Sequence, residues 1–222
     1  MTSVPRIVSL VPSVTETLLA WGVTPVACTR FCEQPSLMHV GGTKDPDVAA
    51  IVALRPDLVV VDEEENRLPD AEALRAAGLV LHVTAVRSVD DVVPTLAALA
   101  AAVNVDVPAL LLPVPRRSLS RTVAVLIWRR PWMALGTATY GGSVLARLGY
   151  TVVAPGEDRY PEVSLDVLQG VDDVLLPTEP YAFKQRHVEQ VSEALPGTRV
   201  RLVDGQDLFW WGARTPQALA RL

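Results

Sequence analysis

The sequence predicts an α/β protein of two similar lobes, each built on a mainly parallel sheet. A bridging helix or connector joins them, and a ligand cleft is expected between them. Three observations carry this prediction. Short β-branched runs alternate with stretches of helical period along the chain, the pattern of strand–helix–strand units on a parallel sheet. The second half repeats the element order of the first. Arg6 and Asp57 stand as far apart as Arg121 and Asp172, and Glu63 follows Asp57 at the distance at which Glu179 follows Asp173. Residues 88–120 form a join of different character, which divides the chain into lobes at 1–87 and 121–222.

In the first lobe "RIVSL" reads as a buried strand and "VTETLLAWG" as a helix, capped by Ser13 or Thr15 and stopped by Gly22. "PVAC" is the next strand. "DPDVAAIVALRP" is a helix with Asp45 or Asp47 at its start, followed by the continuous apolar strand "DLVVV". "LPDAEALRAAG" and "LVLHVT" add a helix and a strand. The join opens with a Ser88 cap on "VDDVVPTLAALAAAVNV", where Pro94 is expected to restrict the helix start. "DVPALLLPVPRRSLS" then reads as an extended connector. The second lobe runs "RTVAVLIW" strand, "GGSVLARLG" helix, "YTVVA" strand, "SLDVLQGV" helix, "DDVLLP" strand, "AFKQRHVEQVSEAL" helix and "RVRLVD" strand.

Half of the 222 residues are apolar and 20% are charged, the profile of a globular protein. A net charge of −5 argues against a nucleic-acid partner, which asks for a basic face. No apolar run approaches the ~20 residues a transmembrane helix needs. The amino terminus shows no basic leader with an apolar stretch and cleavage site. As written, the protein is therefore expected to be cytoplasmic, or periplasmic or extracellular if a leader was removed; a monomer is expected. Cys28 and Cys32 form a C-x3-C pair without zinc spacing, and read as free buried thiols or a disulfide. His39, His82 and His187 are scattered, so no metal site is expected. No nucleophile beside a base, no cysteine cluster and no P-loop stands out, so catalysis is not expected. An enzyme on the same two-lobed fold stays the rival from another class.

"RIVSLVPSVTETLLAWGV", "VGGTKDPDVAAIVALRPDLVVVDEEEN" and "LVDGQDLFWWGARTPQAL", in that order, resemble the cobalamin-type (class III, helical-backbone) periplasmic substrate-binding proteins of ABC transporters. The resemblance implies two α/β lobes joined by a long rigid helix, with ligand in a shallow cleft for delivery to an ABC importer. It also implies one surface glutamate per lobe that meets permease arginines, for which Glu63 and Glu179 are the positional candidates.

Ligand contacts are expected on the loops after the strands. Pro12 and Ser13 precede a helix placed near Thr15, Phe31 offers an aromatic wall, and Lys44 sits on a glycine-rich turn within reach of a carboxylate or phosphate. In the second lobe "IWRRPWMALGTATYGG" places Trp128, Arg129, Trp132 and Tyr140 on one strand end and its loop. Tyr160 is expected at the same edge. In "DLFWWGARTP", read as extended, Trp210 and Trp211 point to opposite sides and Arg214 stands near a ligand's rim. Aromatic faces with arginines suit a large flat ligand with polar edges. A corrinoid fits, as the resemblance also implies. Haem, with Tyr140 or Tyr160 as axial group, and a ferric siderophore fit too. No intrinsic cofactor is expected. A cytosolic corrinoid carrier or sensor is the reading in which no permease is met.

Overall fold

The computed structural model describes residues 4–106, 109–113 and 121–222. Within them the chain divides into two compact units. One comprises the residues up to Val86, Asp90–Leu110 and Trp211–Ala213; the other comprises Arg87–Val89, Leu111–Trp210 and Arg214–Leu222. The part of the expected connector at 107–108 and 114–120 lies outside the described residues.

In the first unit, β1 (Ile7–Ser9), β2 (Ala27–Cys28), β3 (Met38–His39), β4 (Leu58–Asp62) and β5 (Leu81–Thr84) form one sheet in the order β3-β2-β1-β4-β5. Every pairing in it is parallel. Helices α1 (Pro12–Ala20), α2 (Val48–Leu54) and α3 (Leu68–Ala76) provide the crossovers that parallel neighbours need. β1 and β4 are buried along their whole length, as their unbroken apolar runs require. Val8, Leu10, Ala27, Val59 and Val61 pack with Ile51 and Leu74 in the core.

Two local expectations change here. α1 starts at Pro12, not near Thr15. Val11 is its N-cap, neither Ser13 nor Thr15 caps it, and proline's fixed φ suits the first helical position. α4 (Val89–Ala102) also runs straight through Pro94. An interior proline costs a helix about 3 kcal/mol. Burial of Val89, Val92, Leu96 and Leu99 offsets that, since each such side chain is worth roughly 1.5–3 kcal/mol. Asp47, rather than Asp45, caps α2 by accepting from the Ala50 N–H at 2.9 Å.

The second unit holds β6 (Thr122–Trp128), β7 (Met133–Ala134), β8 (Thr151–Val152), β9 (Asp173–Pro177) and β10 (Arg199–Val203). β10, β9 and β6 lie side by side in parallel. β8 pairs in parallel with the start of β6, and β7 turns back antiparallel on its end. α5 (Tyr140–Arg147), α6 (Gln185–Ala194), α7 (Gly205–Phe209) and α8 (Thr215–Arg221) complete the unit. "SLDVLQGV", expected as an α-helix, closes instead as the 3-10 turn Leu165–Leu168. The core gathers Ala124, Leu126, Val174 and Leu176 from the sheet with Val163, Leu168, Phe183, Val191 and Leu195. No helix among the described residues is long and apolar enough to cross a membrane.

The internal repeat is visible in the hydrogen bonds, displaced by one residue from the sequence registration. The Arg6 N–H donates to the Asp57 carboxylate at 2.7 Å, and the Thr122 N–H donates to Asp172 at 2.7 Å. Thr122, not Arg121, is thus the counterpart of Arg6. At the far ends of β4 and β9, the Glu63 N–H bonds the Thr84 carbonyl and the Thr178 N–H bonds the Val203 carbonyl, each at 3.0 Å. By this register Glu63 matches Thr178, and Glu179 matches Glu64.

Candidate functional site

In each unit the carboxyl ends of the parallel strands carry the loops with functional chemistry, and the two ends are lined differently. At the first unit's end the lining is mostly buried and polar. The Thr15 hydroxyl lies 2.8 Å from the Ser9 hydroxyl and 3.1 Å from the Val11 carbonyl. The Thr17 hydroxyl donates to the Ser13 carbonyl at 2.8 Å. Pro12 and Ser13 are therefore buried in the first turn of α1 and present no open face.

Beyond β4, Asp62 is 5% exposed and organises the acidic turn. Its carboxylate accepts the Glu64 N–H at 2.9 Å and the Thr84 hydroxyl at 2.7 Å. Burial pushes the Asp62 carboxyl above the usual carboxylate range, against these donors. Asn66 ties the turn down by donating to the Thr43 carbonyl at 2.9 Å, while its own carbonyl accepts the Asp62 N–H. The Lys44 ammonium is bound to the Glu64 carbonyl, so this lysine has a partner within its own unit.

Phe31 is the aromatic that this end shows to solvent, at 49% exposure. The Arg30 guanidinium lies 4.8 Å from the ring centroid and pairs with Asp45 at 3.0 Å. Gly42 makes that packing possible. A Cβ there would stand 2.8 Å from the Phe31 ring and 2.3 Å from the Asp45 carboxylate.

At the second unit's end the lining is a cluster of rings. Trp128, the last residue of β6, is 43% exposed and meets Tyr181 edge-on at 5.5 Å. Tyr181 leans on Phe183 at 4.7 Å, and Phe183 stacks against Trp132 at 6.1 Å with 5° between planes. His187 packs edge-on to both Tyr181 and Phe183. Its Nδ1 accepts the Lys184 N–H at 2.9 Å, and its Nε2 faces the Arg186 Nε–H at 3.3 Å. Burial, with the charges of Arg186, Arg129 and Lys184, holds the imidazole below its ordinary pKa. Arg129 lies 5.7 Å from the Trp132 ring centroid and donates to the Gln190 side-chain carbonyl at 2.9 Å. Its Nε is buried without a hydrogen-bond partner among the described residues.

Of the residues expected here, Trp128, Arg129 and Trp132 come together. Trp132 also packs on the core through Phe183, so part of this tryptophan is structural. Tyr140 departs from expectation. It opens α5 instead of lying on the loop, is 6% exposed, and its hydroxyl lies 3.0 Å from that of Thr215. Burial pushes its phenol up to about 12. Tyr160 is 38% exposed on its loop, with the Arg159 guanidinium 5.7 Å from the ring.

The tryptophan doublet is not an extended segment. α7 ends at Phe209 and Trp210 is its C-cap, so strand alternation does not apply. Trp210 is half-buried, and the Arg214 guanidinium lies 5.1 Å from its ring. Arg214 also donates to Gln206 at 3.0 Å and pairs with the buried Asp207 at 3.5 Å, which commits it to the interior of its unit. Trp211 is 5% exposed and belongs to the first unit. There Gly212 holds φ at +126°, and the Ala213 N–H donates to the Thr17 hydroxyl at 3.1 Å.

The residues that sequence reasoning missed are Tyr181, Phe183, His187 and Gln190. "EPYAFKQRH" held the signal. A proline and two aromatics after an apolar strand mark a structured loop, but helical composition further on drew Phe183 into the helix.

Two mostly parallel sheets, each flanked by helices, with loops displayed at the strand ends, match the fold of solved periplasmic binding proteins. The periplasmic vitamin B12 binding protein BtuF of Vibrio cholerae superposes with a TM-score of 0.75 at 19% identity, over 97% of this chain and 94% of that one. The periplasmic haem-binding protein BhuT, solved with two haems, gives 0.78 at 21% identity over 98% and 96%. The haem-binding protein HutB of Vibrio cholerae gives 0.75 at 21% over 97% and 96%. Residues 7–107 match the model of a periplasmic binding protein family. The vitamin B12-binding proteins of Salmonella choleraesuis and Salmonella typhimurium are each 33% identical to this chain over 102 residues, 44% of its length and 38% of theirs. The match thus spans less than two fifths of those relatives.

Proposed function

We propose that the protein binds a corrinoid reversibly for an ABC-type importer, and that the aromatic end of the second unit makes the principal contact. The observation that carries this reading is Trp128. A tryptophan 43% exposed, braced by Tyr181 and set beside the part-buried Arg129, presents a rigid apolar face with a guanidinium at its rim. The vitamin B12-binding relatives support the ligand class. In the same reading the protein works where a permease collects its ligand, on the outer side of the cytoplasmic membrane. Permease contact falls on the acidic turns, with Glu64 joining Glu63 and Glu179 as a candidate because the repeat register pairs it with Glu179.

Haem is the second reading, favoured by the haem-binding neighbours and by one residue. With Tyr140 sealed against Thr215, Tyr160 is the expected tyrosine whose ring still reaches solvent and so the axial candidate. Parallel absorbance titrations with cobinamide, cobalamin and haemin decide between them. Saturable changes in the corrin bands are expected at micromolar ligand. A response to haemin alone, lost in Tyr160→Phe, reassigns the protein to haem.

A further inference from the structure

The two cysteines are unused by the proposed ligand chemistry, yet their surroundings are those of reactive thiols. Cys28 ends β2 and is fully buried; Cys32 ends the 3-10 turn Arg30–Cys32 and is 2% exposed. That turn folds the chain back on itself, the Cys32 N–H donating to the Thr29 carbonyl at 3.1 Å. It brings the thiols into hydrogen-bonding contact. The Cys32 sulfur also lies 3.2 Å from both the Thr15 and the Thr29 hydroxyls.

We propose that Cys32 is a peroxide-oxidisable cysteine resolved by Cys28, and that oxidation closes a Cys28–Cys32 disulfide in the turn that carries Phe31. The Thr29 hydroxyl, 3.2 Å from the Cys32 sulfur, is placed to donate to it, and a thiolate is the form such a bond stabilises. The Cys28 thiol foremost, with the two threonines, draws the Cys32 pKa down against its burial, and the same contact pushes that of Cys28 up. Attacker and resolver are distinguished by position. Cys32 lies in the turn among exposed residues and beside the two hydroxyls, whereas Cys28 ends a buried strand of the sheet. Arg30, Phe31 and Glu33 around Cys32 are all exposed, so the sulfur lies just beneath the surface and local opening of a three-residue turn admits a small oxidant. Among the described residues no third His, Cys, Asp or Glu joins the pair to make a metal site.

The chemistry balances in two steps. The Cys32 thiolate attacks one oxygen of hydrogen peroxide; an S–O bond forms, the O–O bond breaks, and hydroxide leaves. The Cys28 sulfur, giving up its proton, then attacks the Cys32 sulfur. The S–S bond forms, the S–O bond breaks, and the departing hydroxide takes that proton as water. Two thiols and one peroxide yield one disulfide and two waters. The sulfur pair loses two electrons and the peroxide gains them. In the disulfide Cys32 is no longer a thiolate for Thr15 and Thr29, so the Phe31 turn loses its tie to α1.

The test is mass spectrometry of the folded full chain after hydrogen peroxide, with no ligand present, so its outcome is separate from that of the corrinoid assignment. Wild type is expected to lose two mass units and yield a linked Cys28–Cys32 peptide. Cys28→Ser is expected to stop at a sulfenic acid on Cys32, trapped by dimedone. Cys32→Ser should leave Cys28 unlabelled. Early dimedone labelling of wild type, mapped by peptide, reports the attacking sulfur even if a variant fails to fold. Two thiols still alkylatable after peroxide and unfolding, label first on Cys28, or a disulfide between two chains would each overturn the proposal.

Discussion

Four strands of each unit follow one path, β2-β1-β4-β5 in the first and β8-β6-β9-β10 in the second, yet their ends are furnished in opposite ways. The first unit spends its loops on hydrogen bonds. Ser9, Thr15, Thr29, Asp62, Asn66 and Thr84 are all buried and partnered, and Phe31 is the aromatic left outside. The second spends them on rings, with Trp128, Trp132, Tyr181, Phe183 and His187 in one cluster. The ends opposite the loops also differ. Leu58 opens β4, whereas its counterpart Asp173 opens β9 with no exposure and accepts from both Arg121 and Arg199. A duplicated backbone therefore fixes where loops emerge, and the residues on them decide what they contact.

Within the aromatic cluster, Trp132 and Trp128 should separate structure from binding. Trp132→Ala removes a ring stacked on the core residue Phe183, and a loss of about 3 kcal/mol in chemical denaturation is expected. A change under a few tenths would show the stack to be ornamental. In the polar unit, Gly212→Ala is expected to cost about 2 kcal/mol in the same assay. The new Cβ would stand 2.2 Å from the Thr17 hydroxyl, at a φ that side chains avoid. Wild-type stability in that variant would mean that Trp211–Ala213 is not docked on α1.

The smallest effect is a pH dependence. Asp62 has a folded-state pKa raised by burial, so its charge opposes folding once the pH exceeds that folded value. The penalty fades as pH falls through that value toward the ordinary carboxyl range, and is absent below it. Relative to Asp62→Asn, wild type should therefore gain stability as pH drops from 7 to 4. An unchanged difference would place the carboxylate in a solvated setting.

The sequence made the scaffold legible because a central parallel strand must be apolar on both faces, and "RIVSL", "DLVVV" and "TVAVLIW" say so directly. Helix ends were harder. Pro12 at the first helical position looks like a strand terminator, and Pro94 looks like a barrier until the apolar face around it is counted. Two-residue strands such as β3 and β7 have too little pattern to be seen. The candidate site was half legible. Trp128, Arg129 and Trp132 announce themselves by crowding, whereas Tyr181 and Phe183 join them only through pairing of β6 with β9, which no local window contains. Tyr140 misled because one residue separates a loop from a helix start, and that residue decides burial.

The central claim is that the ring cluster of the second unit is a ligand surface, and Trp128 tests it most directly. Its exposed ring contributes about 1 kcal/mol or less to stability through the edge contact with Tyr181, so Trp128→Ala should fold. Cobalamin affinity should then be measured by quenching of the remaining tryptophans in wild type, Trp128→Ala and Phe31→Ala. The account predicts saturable quenching in wild type at micromolar ligand, weakened at least tenfold by Trp128→Ala and less by Phe31→Ala. Equal affinity in Trp128→Ala and wild type, with both proteins folded, would contradict it.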